Sequence, residues 1–429
     1  MSRGLGSPLS FLLTGWGWLL LTSLLGLAAF GGIVRGGPLP SGLRQLHVHG
    51  VLIGGLLQLM TGLALAAHDL ASHEGKRTTH RLLFLSMNLA ALGFAAGAWL
   101  RNPTLTLVAG FLLAALSIPM ARHMMTALRT CSGWTPLLPL YFGISFAGLF
   151  GSLILGGLLA DAWYPTWHGI LRLGHLHAGL LLFLTLGTVG TIQLALPLMV
   201  HHPLRSAGLG QMVMLLLPAS AAGLITGFVL SSVHIQLVAG SVLLVALALC
   251  CINLLRTWSR AGQPGSAATD HLLTALTFLM IMTGIGLALG INVLWTPPAM
   301  PYGTLHLVAY THTAFLGFLL QSMVGGLSFA LPPLLATSRI ANQKKRGSYR
   351  EELERIMNRW RAAQVATVSF GSLGLVLVAS LTWNLPLSSP WIQMGTWVSL
   401  GLLLLHFTMV TIKIAQATGA LPSHEGTTK

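Results

Sequence analysis

Apolar positions fall into long unbroken runs along this chain, separated by short polar or Gly/Pro-rich connections. Twelve runs stand out, centred on residues 10–33, 46–67, 82–100, 104–121, 136–160, 174–200, 208–231, 235–255, 270–294, 306–335, 363–383 and 391–415. Each is close to the roughly 20 residues that a helix needs to cross the hydrocarbon core of a bilayer. The pattern predicts an all-α polytopic membrane protein with twelve transmembrane helices. The first run is long and lacks a clear cleavage site, so it is expected to stay as a membrane helix. One substantial polar connection interrupts the series, over residues 336–362. Within it Arg350 to Trp360 reads as a short amphipathic helix suited to a membrane surface, or to a partner subunit. The tail from Leu421 is expected to be disordered.

Composition agrees with this reading. Hydrophobic residues make up 54% of the chain and charged residues 7%, far from a soluble domain. The net charge of +15 would suit nucleic acid, but its placement argues for topology instead. Arg and Lys crowd into alternate connections: Lys76, Arg77 and Arg81; Arg122 and Arg129; Arg205; Arg256 and Arg260; then Arg339 to Arg361. The opposite connections hold only Arg35, Arg44, Arg101 and Arg172. The positive-inside rule then puts both termini in the cytoplasm, as expected in a bacterial inner membrane, and membrane lipid around the bundle. Cys131, Cys250 and Cys251 form no metal-ligand spacing.

Polar residues that break the apolar pattern repeat. Leu-Arg44-Gln-Leu-His47-Val-His49 opens the second run, and Leu-Arg172-Leu-Gly-His175-Leu-His177 opens the sixth. Tyr310-Thr-His312 opens the tenth, so the second members are spaced 128 and 135 residues apart. Thirteen residues beyond each second member stands a glycine: Gly62, Gly190 and Gly325. Leu196-Pro197 and Leu331-Pro332 follow the latter two, and Gln58 matches Gln321. The chain therefore divides into three pseudo-repeated four-helix blocks, approximately 1–130, 131–262 and 263–429, within one membrane domain. Repeats of this kind place functional groups at their interfaces.

Helical residues turn about 100° each, so His47 and His49 point some 200° apart and cannot chelate one ion. They can serve two centres on opposite sides of the helix. A neutral imidazole is a good axial ligand for heme iron, and heme propionates can reach arginines such as Arg44 and Arg172. Intramembrane ionisable residues are costly and usually functional, which sets these histidines apart from satisfied interfacial ones. His49 and His175 are expected to meet between the first and second blocks. His177 and Tyr310 are expected to face each other between the second and third, with His234 and His306 as substitutes. Trp163, Trp167 and His168 read as an interfacial aromatic belt, or alternatively as a lid over a cofactor.

The architecture and the string Gly174-His-Leu-His177-Ala-Gly-Leu-Leu resemble subunit I of the heme-copper oxidase and nitric oxide reductase superfamily. The resemblance implies b-type heme, two or more copies, with a low-spin heme held by His47 and His312. Tyr310 falls where the family holds its reactive heme with histidine. His175 or His177 could supply the sixth-helix ligand of the family's copper, but residues 208–230 contain no histidine to complete it. The expectation is a heme-binding subunit that carries electrons near the outer face of a respiratory complex. Its partners would be other membrane or extracytoplasmic subunits, with a quinol or a cytochrome as redox partner. Two alternatives stay open: a terminal oxidase or nitric oxide reductase with a rearranged metal site, and a histidine-lined transporter without heme.

Overall fold

The computed structural model describes residues 5–71, 80–131, 137–160, 165–295 and 309–422. Among them every regular element is helical. The helices are α1 (Pro8–Val34), α2 (residues 43–71), α3 (Arg81–Leu100), α4 (Pro103–Cys131), α5 (Leu138–Ala160) and α6 (Pro165–Met199). They continue as α7 (Ala207–Val229), α8 (Val233–Arg260), α9 (Ala267–Asn292), α10 (residues 309–339), α11 (Gln343–Asn358), α12 (Arg361–Leu381) and α13 (Pro390–Gly419). Twelve helices are long and apolar enough to cross a membrane; α11 is the polar start of the eleventh such stretch, and α12 is its spanning part. Helices are the form expected in lipid, because each satisfies its own backbone polar groups.

Local sequence sets the helix starts. Ser7, Ser206, Ser232 and Ser266 precede apolar runs, and each accepts a bond from a first-turn backbone N–H. Such caps satisfy donors that the helix itself leaves open. At Ser266 the Thr269 side chain answers back to the cap, forming a capping box. The predicted fourth run ends at 121, but α4 continues through Pro119 to Cys131. The sixth begins earlier than predicted, because a short 3-10 turn over Pro165–Trp167 extends it outward.

The three histidine-bearing helices form the middle of the bundle. Two thirds of the apolar window of α2 and of α6 is buried, and 78% of that of α10, against 22–50% elsewhere. They touch one another directly. A Cβ on Gly187 of α6 would come within 3.0 Å of Met60 in α2, and one on Gly326 of α10 within 2.7 Å of Leu63. Outward positions such as Leu82, Phe111 and Phe370 are apolar and exposed, as a lipid-facing surface requires. Exposed Trp99, Trp167, Trp295, Trp383 and Trp391 sit at the ends of helices on the histidine-pair side of the bundle. That placement fits an aromatic belt at the membrane surface. Trp167 and His168 are both exposed; Trp163 lies outside the described residues.

An even number of spans puts the ends of α1 and α13 that carry the termini on one face, called here the terminal face. Helix α11 lies against it. Its apolar stripe of Tyr349, Leu353 and Met357 is buried against α10 and α13 of this chain rather than turned to a lipid surface. Arg339 reinforces the contact by donating to Tyr349 Oη and to the carbonyls of Thr418 and Ala420.

Candidate functional site

Immediately after each histidine motif the helix changes its winding. Gly50–Leu57 in α2, Ala178–Thr185 in α6 and Thr313–Leu320 in α10 are π-helical. The three segments begin one residue beyond His49, His177 and His312, so they hold the same register as the motifs. Runs of π-helix are rare and frequently mark functional sites. Gln58 and Gln321 directly follow two of the segments and are fully buried.

Each first histidine leans on the helix before it. His47 Nδ1 donates to the carbonyl of Thr22 in α1 at 2.7 Å, and its ring lies over Gly26. A Cβ there would meet the ring carbon Cε1, so only glycine leaves room. His175 Nδ1 donates to the carbonyl of Ser152 in α5 at 2.8 Å, and its ring lies over Gly156. Tyr310 repeats the placement without the imidazole, its ring 3.1 Å from where a Cβ of Gly286 in α9 would stand. Gly26, Gly156 and Gly286 are each 130 residues from the next. At the other end of the same helix pairs, Gly62, Gly190 and Gly325 pass Leu12, Phe142 and Leu272, again in steps of 130 along the earlier helix. Three helix pairs thus share two contacts in one register.

The second histidines of the first two pairs turn to the helix that follows. His49 stacks on Phe94 of α3, with centroids 5.4 Å apart and planes within 5°. His177 packs on Phe228 of α7 at 4.3 Å. Their Nδ1 atoms donate to the carbonyls four residues earlier, Gln45 at 3.0 Å and Leu173 at 2.9 Å. The opposed directions of paired histidines follow the 200° separation expected from helical geometry.

The hydrogen bonds fix the chemistry of these rings. A carbonyl oxygen can only accept, so Nδ1 carries the proton in His47, His49, His175 and His177. In the neutral ring this leaves the Nε2 lone pair as the electron donor. A ring whose other nitrogen donates to a carbonyl is the usual arrangement of a metal-ligating histidine. His49 and His175 lie close enough to influence each other electrostatically. His312 stands edge-on to Phe30 of α1, at 6.2 Å. Phe30 is one turn beyond Gly26, so His47 and His312 border the same face of α1. The His177 ring packs on Phe228, and the Tyr310 ring lies over Gly286.

Arg44 and Arg172 are exposed one turn before His47 and His175, and neither makes an ion pair with a described residue. His234 is exposed at the start of α8; His306 lies outside the described residues. Among the described residues no three His, Cys, Asp or Glu side chains converge as a metal-ion site.

Sequence reasoning missed Thr22, Gly26, Ser152, Gly156 and Gly286. Their signal was present as glycines recurring at 130-residue steps, four positions after a hydroxyl residue in the first two copies. It also missed a buried polar group near the terminal face, built from His271, Gln321, Gln364, His406 and Lys413. No family model matches this chain, and no curated protein matches it.

Proposed function

We propose that this protein is a heme-b-binding subunit of a membrane electron-transfer complex, related in type to subunit I of the heme-copper oxidases and nitric oxide reductases. The observation that carries the reading is the shared state of four intramembrane histidines. Each has Nδ1 tied to a backbone carbonyl, which keeps the lone pair on Nε2, at matched positions on the central helices. In this reading His47 and His312 hold one heme beside α1, and His49 and His175 hold a second between α2 and α6. Bound heme iron would supply reversible one-electron transfer. The chain's own residues set its surroundings: Thr22 and Ser152 orient the rings, Gly26 and Gly156 let them lie close to the neighbouring helix, and Phe94 excludes water. Arg44 and Arg172 are suited to receive propionates at the membrane surface.

The reading includes three four-helix blocks, supported by the register shared among α1–α2, α5–α6 and α9–α10. It puts the terminal face in the cytoplasm of a bacterium, because the basic connections lie there. The redox partners are then a quinol or an outer cytochrome, and further respiratory subunits. Absorption spectra of the purified protein, oxidised and dithionite-reduced, test the assignment: b-type bands support it and a colourless protein removes it.

A histidine-lined permease without heme is the second reading. What favours it is the presence of further buried histidines, His271 and His406, near the opposite face. It predicts no visible absorption.

A further inference from the structure

Two histidines that the proposed function does not use meet near the terminal face. His271, in the second turn of α9, and His406, in α13, are fully buried, with ring centroids 5.8 Å apart and planes at 73°. His406 Nδ1 donates to the carbonyl of Gln364 in α12 at 3.0 Å. His271 Nδ1 faces Gln321 Oε1 at 3.3 Å. The Gln321 amide nitrogen is already used, donating to the carbonyl of Gly317, so Oε1 is the acceptor and His271 Nδ1 the donor. Both rings thus carry their proton on Nδ1. Both Nε2 atoms are buried without a hydrogen-bond partner.

Each Nε2 lone pair can accept one hydrogen bond, and the two rings are neighbours, so a single donor of two hydrogen bonds can serve both. We propose that His271 and His406 form a proton-storing site in which one water bridges the two Nε2 atoms. The water donates one hydrogen to each ring. An added proton from solvent attaches to one Nε2, which then donates to the water oxygen, and the water donates to the other ring. One proton enters and no bond other than N–H is made. Gln321 stops the path towards the π segment of α10, because an amide does not readily pass a proton on. The site is therefore a store and not a through-wire.

The charged groups around it come from several helices. Lys413 of α13 is fully buried and donates to Met357 O of α11 at 2.9 Å and to Gln364 Oε1. Asp270 of α9 pairs with Arg361 of α12 at 3.5 Å at the rim. Arg339 of α10 is engaged with Tyr349 of α11 and the end of α13. No carboxylate is bonded to Lys413 or to either ring among the described residues. The Lys413 charge opposes a second positive charge nearby, so the proton enters this site only under acid conditions and is then held by the water and the rings.

The inference is independent of heme, because its readout is the imidazole. Full-length protein with ¹⁵N-labelled histidine, in lipid bilayers, is measured by solid-state nuclear magnetic resonance across an acid titration. The expected result is two rings with protonated Nδ1 whose Nε2 signals correlate with water and shift in one shared step. Substituting His406→Gln should remove the water correlation of His271; Gln321→Leu, which touches His271 only at Nδ1, identifies that signal if the histidine variant fails to fold. Nε2 signals in wild type that lack a water correlation, or two rings that titrate in separate steps, would overturn the proposal.

Discussion

Ser152 holds His175 from two sides. Its carbonyl accepts the Nδ1 proton at 2.8 Å, and its hydroxyl donates to the His175 carbonyl at 3.0 Å. The side chain and backbone of the histidine are thereby pinned to α5 together. Replacing Ser152 with alanine removes the hydroxyl bond and leaves the carbonyl. We expect a loss of about 1 kcal/mol in stability, seen as a slightly lower thermal midpoint, with His175 still oriented.

Gly156 sets a stricter limit. A methyl group there would stand 2.9 Å from Cε1 of a ring that Ser152 prevents from retreating. Gly156→Ala is expected to cost about 1–3 kcal/mol and to lower the content of one cofactor. Gly151→Ala, five residues earlier and with nothing within 4 Å, is the control. It should leave both unchanged or raise stability by up to about 1 kcal/mol through helix propensity. Thermal melts with spectral quantitation separate the two variants.

His49 and His175 are expected to act as a pair. Alanine at either position should remove the same heme, so each single variant and the double variant lose equal amounts per protein. Pyridine hemochrome titration measures this. Full heme content in both single variants would break the pairing and leave His47 with His312 as the remaining assignment.

Gln364 connects the His271–His406 region to Lys413. Gln364→Leu removes the side-chain acceptor of a buried ammonium group while keeping the backbone carbonyl that orients His406. A loss of about 1–3 kcal/mol is expected, because the buried ammonium loses one of its two acceptors and keeps only Met357 O. A thermal midpoint equal to wild type would show that Lys413 finds another acceptor.

Leu353 is the centre of the stripe by which α11 docks. Leu353→Ala should cost about 2–5 kcal/mol of local docking energy. Cleavage by trypsin at Arg350 or Arg355 would then become faster in vesicles with the terminal face outward.

Much of the fold was legible because a bilayer imposes long apolar runs, and all twelve are found as helices near their predicted positions. The separation of His47 from His49 was legible too, since it follows from the helical angle alone. The π segments were not, because their residues, GVLIGGLL, AGLLLFLT and TAFLGFLL, read as ordinary apolar helix. The glycine cradles lie on different helices from the histidines they serve, so a local motif search passes over them. The docking of α11 was misjudged for a related reason. An amphipathic stripe shows that a surface is covered, but the covering of Leu353 by α10 and α13 is decided by tertiary packing. His271 stands at the edge of the apolar run 270–294, where sequence alone gives no sign of burial, and α13 beside it covers the ring.

The central claim is that paired Nε2 donors on the middle helices hold heme. The most direct measurement is the reduced-minus-oxidised absorption spectrum of the full-length protein purified from membranes, repeated with carbon monoxide. The account predicts b-type bands from heme carrying two axial ligands, unchanged by carbon monoxide. A protein with no heme absorption would contradict it.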